Sequence, residues 1–440
     1  MGSALEWFDF AVYGAMSATV FPTLFFNEMS PGVGLLASFA TFGVGFFARP
    51  LGGIVFGHLG DRIGRRNVLL TTFLTMGIAS LVIGLLPPYS TLGLAAPLLL
   101  VVLRFIQGFG LGGEATGAQL MTMEHAPKDR RAFYGALMAM GSPLSQVAAN
   151  LMLAVLSGVL SEAAFLSWGW RVPFLLSILL VAVGIYIRLN VDETPVFQQG
   201  VQENAQESTN PAAVIRRRGW TIARLILAFS PIVLTFYIVS VFGLSYLAGL
   251  GFTRSQTFTI VTVANLLSVV AIWWGGRLAD VYGRRKILMT GSAGTLLAAL
   301  VFFPLVDLGS FPIALVMVAF ALMSAQFGNA GQGALFAEAF PTHMRYTGSA
   351  LALTGANLIF AAPAPFLASW LTSLSNGSTV SITIFWVVTI VAALINMLLM
   401  GDYKTLEGSE HTFGRHGLQE PAPAPASPTR AHAGPEAAAQ

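Results

Sequence analysis

The 440-residue chain contains no cysteine. This absence excludes disulfide bonds, cysteine-ligated metal sites and thiol chemistry. Charged residues are also scarce: they make up 10% of the chain, whereas an ordinary soluble protein has about 25%. Hydrophobic residues make up 55% of the chain, and the mean hydropathy is +0.72. A chain with so few charges cannot cover a water-exposed surface, so the composition predicts a polytopic membrane protein.

Signals for export and for catalysis are missing as well. No cleavable signal peptide precedes the first apolar segment, which begins almost at Met1. We expect that a short cytoplasmic leader is missing from the sequence or has been trimmed. The apolar segments contain no paired Asp constellation and no His-Glu metal spacing. The sequence therefore predicts neither an enzyme nor a bound metal or cofactor. His58, His125 and His343 lie at loop edges, where we expect solvated side chains.

Twelve apolar segments are long enough to cross a bilayer as helices. They lie at about 3–26, 33–57, 68–86, 94–124, 132–160 and 169–190, and then at about 220–248, 254–280, 287–306, 311–339, 347–374 and 378–401. The predicted domains are an N-terminal six-helix bundle (1–190), a polar cytoplasmic linker with a short surface helix (191–219), a C-terminal six-helix bundle (220–401) and a disordered cytoplasmic tail rich in Pro and Ala (402–440).

The basic residues are distributed unequally between the two sides of the membrane. With the N-terminus inside, Arg171 and Arg254 fall in outer loops and Arg49 and Arg104 lie inside spans. The other 19 of the 23 Lys and Arg residues lie in cytoplasmic loops, in the tail or at cytoplasmic helix ends. Cytoplasmic loops of membrane proteins carry such an excess. The distribution supports twelve spans with both termini in the cytoplasm.

A charged loop occurs twice. Residues 57–66 read GHLGDRIGRR, residues 276–285 read GRLADVYGRR, and the offset of 276 − 57 = 219 residues is about half the chain. Glycines permit a tight reversal of the chain, and the arginines hold it on the cytoplasmic side. A repeat at this offset indicates two halves of one pseudo-symmetric architecture. The loop resembles the signature loop of the major facilitator superfamily, which lies between helices 2 and 3 and again between helices 8 and 9.

Further motifs resemble one family of that superfamily, the metabolite:proton symporters. They read EWFDF at 6–10, RPLGG at 49–53, RFIQGF at 104–109, GGE at 112–114, WGWRVPF at 168–174, ETPVF at 193–197, FPT at 340–342 and RYTG at 345–348. The resemblance runs from Glu6 to about Met400 and implies the major facilitator fold, an all-α protein of twelve transmembrane helices in two pseudo-symmetric six-helix bundles. One departure is Ala115-Thr116-Gly117, where many members have an aromatic residue and two glycines, so no single member's substrate is carried over.

Several ionisable residues are predicted to lie within the spans. At about 1.5 Å per residue, Arg104 lies about 15 Å into the fourth span, near the midplane. By the same measure, the inner half of the membrane holds Glu6 and Asp9 on one face of the first span, Arg49 in the second and Glu114 in the fourth. Ionisable groups at such depth face a cavity and pair with one another. The arrangement predicts a proton site formed by Glu6, Asp9, Arg49, Arg104 and Glu114, and the alternative is a salt-bridge network that only joins helices.

Polar residues at mid-depth are candidates for a substrate cavity. The predicted substrate-binding residues are Tyr13, Arg104, Gln107, Gln146, Tyr237, Gln326, Asn329 and Asn357, and Ser142 and Asn265 lie at similar depth. Pro143, Pro231, Pro363 and Pro365 interrupt spans 5, 7 and 11, where freed carbonyl groups can line a cavity. The alternative for each polar residue is a hydrogen bond between helices.

The repeated loops are predicted to gate the cavity through Asp61, Arg65, Asp280 and Arg284. In the arrangement that the resemblance implies, Asp61 caps the start of span 11 near Thr347, and Asp280 caps the start of span 5 near Ala132–Tyr134. A helix N-terminus carries unpaired N–H groups and partial positive charge. Each Asp would therefore stabilise the state in which the two halves touch on the cytoplasmic side.

The expected function is proton-coupled uptake of a small organic acid across the cell inner membrane by a monomer. Its partners would be that substrate, protons and the lipid bilayer, with no nucleic acid. A proton symporter of zwitterionic osmolytes such as proline or betaine is the alternative, although the tail lacks the apolar heptads of a coiled coil. An exporter of the same fold is a further alternative, but residues 141–145 read GSPLS, without the glycine that follows proline in the exporter motif.

Overall fold

The computed structural model describes residues 2–63, 65–113, 122, 126–178, 182 and 211–400. Helices account for most of these residues, and no strand occurs among them. In this described part, eight helices are long and apolar enough to cross a membrane, and two shorter apolar helices run over Leu70–Leu85 and Ala95–Gly110. The structure therefore has the all-helical, multi-span organisation that the apolar runs predict.

The helices are numbered after the predicted spans. In the first half they are α1 (Gly2–Thr19), α2 (Pro31–Ile63), α3 (Arg65–Leu85), α4 (Ala95–Gly110), α5 (Arg131–Val159) and α6 (172–178, the described start of the sixth span). In the second half they are α7 (Pro211–Gly249), α8 (Arg254–Tyr282), α9 (Arg284–Val306), α10 (Phe311–Glu338), α11 (Met344–Leu374) and α12 (Val380–Leu399). Short helices at Phe21–Phe25, Tyr89–Leu92 and Glu162–Ser167 lie in the connections.

Two helix boundaries differ from the predicted spans. α4 ends in a 3-10 turn at Leu111–Gly113, and the remainder of its predicted span, apart from residue 122, lies outside the described residues. α7 begins at Pro211, within the segment predicted as the linker. The backbone of Arg218 is non-helical, with φ −130° and ψ 20°, so it separates the first turns of α7 from the apolar part of the helix.

Four of the long helices are interrupted close to a predicted substrate residue. α5 breaks at Met140 and α10 at Ala330, while α7 and α11 contain π-helical turns at Ile238–Phe242 and Asn357–Ala361. Pro143 and Pro363 follow two of these points, and a proline removes the hydrogen bond to the carbonyl four residues earlier. Such π-turns are frequent at functional sites, because they free backbone groups inside a helix.

The two halves repeat the same helix pairings. α2 packs along α4 and α8 along α10, while α1 packs on α5 and α7 on α11. The halves contact each other mainly through α5 with α8, α1 with α7 and α2 with α11. The sequence repeat therefore corresponds to a repeat in structure, and any site between the halves is bounded by these contacts.

α5 and α8 run antiparallel, so their contacts define the two ends of the molecule. At one end, called here the Asp280 end, the last turn of α8 contacts the first turn of α5. At the other, called the Glu162 end, Ser255 Oγ donates a hydrogen bond of 3.2 Å to the carbonyl of Ala154 near the end of α5. The described halves thus touch at both ends.

Candidate functional site

A chain of hydrogen bonds crosses the middle of the first half and joins a buried acid to a buried arginine. Ser80 on α3 donates to Asp9 Oδ2 on α1 at 2.7 Å, and Gln107 Nε2 on α4 donates to Ser80 Oγ at 2.7 Å. Arg104 donates from an amino group to Gln107 Oε1 at 2.6 Å. All four side chains are at most 1% exposed. This buried hydrogen-bond chain connects three helices and places a titratable group at one end.

Arg104 is enclosed by aromatic rings. Its guanidinium carbon lies 4.0 Å from the ring centroid of Tyr13, 4.1 Å from that of Phe10 and 5.3 Å from that of Phe42. The guanidinium carbon of Arg49 lies 4.0 Å from the same Phe10 centroid. Ring faces attract cations, and the attraction grows when water is excluded. The aromatic rings thus help to stabilise a charge that would be costly in apolar surroundings.

α2 and α4 come close enough beside Arg104 to require glycine on both helices. A Cβ atom on Gly45 would lie 2.6 Å from Arg104 Nε, and one on Gly108 would lie 2.1 Å from the Gly45 carbonyl oxygen. Small residues permit such backbone contact between membrane helices. Gly45 therefore sets the position of the arginine at the end of the buried hydrogen-bond chain.

We expect Gly45→Ala to reduce transport strongly, because the added methyl group displaces the Arg104 side chain. The measured quantity is the initial uptake rate of purified protein in liposomes, corrected for the amount inserted. Gly141→Ala is the matched control, since open space surrounds a Cβ atom there. Equal uptake rates for the two variants would contradict the role given to Gly45.

The predicted proton site is brought together only in part. Asp9 and Arg104 belong to the buried hydrogen-bond chain, and Arg49 shares the Phe10 ring with Arg104. The side chain of Glu6 and all of Glu114 lie outside the described residues. Ser177 on α6 also faces the Asp9 carboxyl group. The structure thus brings three of the five residues together, and their role as a proton site stays a prediction, as do the contributions of Glu6 and Glu114.

The two predicted tyrosines lie on either side of Phe42. Tyr13 donates a 2.8 Å hydrogen bond to Thr41 Oγ1, and its ring centroid is 6.4 Å from that of Phe42. Tyr237 on α7 lies 5.8 Å from Phe42 and 5.5 Å from Phe46, centroid to centroid. Tyr237 thereby extends the aromatic cluster across the contact between the two halves. In this arrangement Arg104 is fully buried beneath aromatic side chains of α1 and α2.

The predicted amide residues mostly bond within their own helices. Gln146 Oε1 accepts from Asn150 Nδ2 at 3.0 Å, Gln326 Oε1 accepts from Asn329 Nδ2 at 2.8 Å, and Asn357 Nδ2 donates to the carbonyl of Leu353 at 2.9 Å. Gln107 was predicted to bind substrate, but both ends of its amide group are hydrogen-bonded within the protein. Its oxygen accepts from Arg104 and its nitrogen donates to Ser80. Gln107 is therefore described better as part of the buried hydrogen-bond chain.

Asp280 makes the contact with α5 that the repeated loop predicts. Its two carboxylate oxygens accept hydrogen bonds from the backbone N–H groups of Ala132 at 3.0 Å and Phe133 at 2.9 Å. Those groups belong to the first turn of α5, where N–H groups have no partner within the helix. Arg284 lies 3.3 Å from Asp280 and 3.2 Å from Glu338, the last residue of α10. The gating role of Asp280 and Arg284 stays a prediction, and the side chains of Asp61 and Arg65 lie outside the described residues.

The opposite end carries an ion pair between the halves. Arg254, at the start of α8, lies 3.0 Å from Glu162 in the connection between α5 and α6. The Glu162 side chain is 75% exposed, so water weakens the attraction. The pair adds to the contact of Ser255 with α5 at this end.

Sequence reasoning missed three functional candidates: Ser80, Glu338 and the pair formed by Glu162 and Arg254. Ser80 carries no distinctive signal, because single serines are common in membrane helices. Glu338 was recognisable as an acid at the end of a span, directly before the FPT motif at 340–342. In the described part of the chain, no group of three or more His, Cys, Asp or Glu residues has the spacing to bind a metal ion.

Comparison with known proteins identifies the family. The family model described as Major Facilitator Superfamily matches residues 6–362 and 246–431. Among solved structures, a crystal structure of a D-xylose-proton symporter superposes with a TM-score of 0.71 at 17% sequence identity, covering 90% of this chain and 94% of that one. The chain belongs to the major facilitator superfamily, and the predicted fold of two six-helix bundles is confirmed.

Curated relatives give a narrower group. The inner membrane metabolite transport protein YhjE of Escherichia coli (strain K12) is 39% identical over 381 residues, which is 84% of this chain and 86% of that protein. The shikimate transporter of the same strain is 36% identical over 408 residues, 91% of this chain and 92% of that protein. Its proline/betaine transporter is 34% identical over 417 residues, 91% of this chain and 81% of that protein. The chain is therefore a membrane transporter and not an enzyme.

Proposed function

We propose that this transporter is a proton symporter that imports a small organic acid by alternating access. The observation that carries the proposal is the buried hydrogen-bond chain, in which a titratable acid, Asp9, is linked to the permanently charged Arg104. Acids buried within membrane helices are characteristic of proton pathways in transporters. An arginine keeps its charge throughout the cycle, so Asp9 is the member of the pair that binds and releases the proton.

We infer that two buried acceptors on α5 and α8, the helices that join the halves, receive hydrogen bonds from donors on a substrate. Asn150 Oδ1 on α5 and Asn265 Oδ1 on α8 are buried and have no hydrogen-bond partner among the described residues. Unsatisfied buried acceptors are costly, so a ligand that donates to them gains affinity. Hydroxyl groups on an organic acid supply such donors, and so does the ammonium group of proline, whereas the quaternary nitrogen of a betaine supplies none. This observation favours a hydroxylated acid and retains proline as the second candidate.

A substrate panel tests this assignment. We expect the purified protein in liposomes to take up shikimate or another small hydroxylated carboxylic acid, such as citrate, faster than glycine betaine. The control liposomes contain the Arg104→Lys variant, which is expected to be nearly inactive with every compound. Saturable uptake of glycine betaine alone would replace the organic acid with an osmolyte as substrate.

Alternating access requires contacts between the halves that break and re-form. The Asp280 end holds a carboxylate that bridges α8 and the N-terminus of α5, and the Glu162 end holds an ion pair between α8 and the connection after α5. Both contacts join one half to the other, so each can form only while its own end is closed. We infer that they stabilise the closed form of the two ends in turn.

We expect Asp280→Asn to keep the fold, lose net transport and open the Asp280 end more often. The amide is a weaker acceptor for the N–H groups of α5 and carries no charge opposite the helix dipole. Such a contact contributes about 0.3–2 kcal/mol, so its loss shifts the population by at most about thirtyfold. Because the chain has no cysteine, a reporter Met140→Cys measures this opening through its rate of reaction with a water-soluble thiol reagent.

Asp307→Asn is the control for this measurement. Asp307 accepts a hydrogen bond from Tyr246 within the second half, so its loss leaves the contact between the halves intact. An unchanged reaction rate of the reporter in Asp280→Asn, together with unchanged transport, would reduce Asp280 to a structural cap.

The basic residues near the Asp280 end support its placement in the cytoplasm. Arg131, Arg277, Arg284, Arg285, Lys286 and Arg345 lie in the turns of α5, α8, α9 and α11 nearest to this end. With the positive side inside, the protein lies in the inner membrane with both termini in the cytoplasm. We propose that a single chain is the transporting unit, because each chain contains both halves and the space between them.

A further inference from the structure

We propose that Ser80 and Gln107 are positioning residues that transmit the protonation state of Asp9 to Arg104. The inference rests on the proposed proton symport. Ser80 and Gln107 carry no charge, yet the structure places them as the connection between the proton-binding group and the buried cation. Without them, Asp9 and Arg104 would lie in the same bundle with no hydrogen-bonded path between them.

The hydrogen bonds of this chain all run in one direction, from Arg104 to Asp9. A serine hydroxyl group has one hydrogen, and an ionised carboxylate only accepts. Ser80 must therefore donate to Asp9 while Asp9 is ionised, which leaves its oxygen free to accept from Gln107 Nε2. The Gln107 carbonyl oxygen then faces Arg104, which only donates. Every donor in the chain points toward Asp9, which is the arrangement that an ionised carboxylate requires.

Protonation of Asp9 changes what Ser80 can do. A protonated carboxyl group becomes a donor, so it can reverse its hydrogen bond with Ser80, whose oxygen then accepts from both Asp9 and Gln107 instead of donating to Asp9. At the same time the negative end of the chain disappears, and charge-assisted hydrogen bonds are about twice as strong as neutral ones. Both changes weaken the hold of Gln107 on Arg104. Proton binding on α1 thus alters the position of a cation on α4 without direct contact between them.

The surroundings of the chain leave few other routes. The described side chains that face Asp9 are Ser80 on α3, Ser177 on α6, and Gln107 and Arg104 on α4. Ser177 donates to the carbonyl of Phe174 at 2.5 Å, within its own helix. Arg104 is otherwise surrounded by the rings of Phe10, Tyr13 and Phe42 and by the backbone of Gly45. Gln107 therefore provides the hydrogen-bonded route from Asp9 to Arg104, beside the direct electrostatic attraction between their charges.

The test separates exchange from accumulation. Exchange of substrate across a liposome membrane needs no proton release, whereas accumulation driven by an inward proton gradient needs one release in every cycle. Ser80→Ala removes the donor that stabilises the ionised carboxylate. We expect it to retain exchange but to lower gradient-driven accumulation about tenfold or more, the size expected for loss of one hydrogen bond to a charged group.

The probe is radiolabelled shikimate, or the panel acid with the largest wild-type uptake if shikimate is not transported. Ser80→Thr, which keeps the hydroxyl group, should restore accumulation. Ser292→Ala is the matched control: Ser292 is equally buried and donates to the carbonyl of Leu288 at 2.8 Å in the other half, so both activities should equal those of the wild type. If Ser80→Ala elutes as aggregate in size-exclusion chromatography, Gln107→Met carries the test with the same expected split.

The outcomes distinguish the two levels of the proposal. A wild-type protein that exchanges the acid but does not accumulate it under a proton gradient overturns the proposed function, and this inference with it. A wild-type protein that accumulates the acid while Ser80→Ala and Gln107→Met accumulate it equally well overturns the inference alone. Equal loss of exchange and accumulation in both folded variants would assign Ser80 and Gln107 to packing or substrate binding and would also overturn it.

Discussion

Asp9→Asn should abolish proton-driven accumulation while leaving exchange in place. The amide has the shape of the carboxyl group and can still accept from Ser80, so the helices keep their packing around it. It has no proton to release, so the carrier behaves as if permanently loaded. Under an inward proton gradient the internal concentration of the acid should therefore not rise above the external concentration, because exchange alone cannot concentrate a substrate.

The measurement compares exchange and accumulation of one radiolabelled acid in liposomes. Asp307→Asn carries the same substitution outside the buried hydrogen-bond chain and should behave as the wild type. Gradient-driven accumulation by Asp9→Asn at the wild-type level would remove Asp9 from the proton pathway. Glu6 and Glu114 would then be the acids to examine next.

Arg104→Lys should reduce transport about tenfold or more although the charge is retained, because a hydrogen bond to a charged group contributes about 1.5–3 kcal/mol. Lysine has a compact ammonium group instead of a planar guanidinium, so it cannot both stack on the rings of Phe10 and Tyr13 and reach Gln107. The loss should appear in the maximal rate of uptake, because Arg104 is fully buried against the rings of Phe10 and Tyr13.

Arg285→Lys provides the comparison for this variant. Arg285 donates to the carbonyl groups of Met397 and Leu398 at the end of α12, far in sequence from the aromatic cluster. Its replacement should leave the maximal rate close to that of the wild type. Arg104→Lys with wild-type kinetics would show that Arg104 serves packing alone.

The sequence predicted the organisation of the chain well, because the relevant signals are local. Apolar length places the spans, basic residues at loop edges give an orientation, and the repeated loop at 57–66 and 276–285 indicates two halves. The contact of Asp280 with the start of α5 was implied by the family resemblance that the repeated loop carries. Each of these inferences depends on position along the chain rather than on how side chains pack.

The content of the site was less predictable. Depth along a helix placed Asp9, Arg49 and Arg104 at neighbouring levels, and they lie close together in the structure, but depth gave no information on which side chains lie between them. Ser80 comes from α3, whose sequence contains no charge in its central turns, and its partners lie 71 and 27 residues away. Gln107 was assigned to the substrate because an amide at mid-depth suits either role. Only the packing of α1, α3 and α4 distinguishes the two.

The central claim is that a proton gradient drives the uptake of a small organic acid. It is tested most directly by measuring radiolabelled shikimate, and in parallel the other panel acids, in liposomes that contain the purified protein under an imposed inward proton gradient. The account predicts accumulation above the external concentration that collapses when an uncoupler is added. Accumulation that persists without a proton gradient, or uptake that never exceeds the external concentration for any acid taken up, would contradict it.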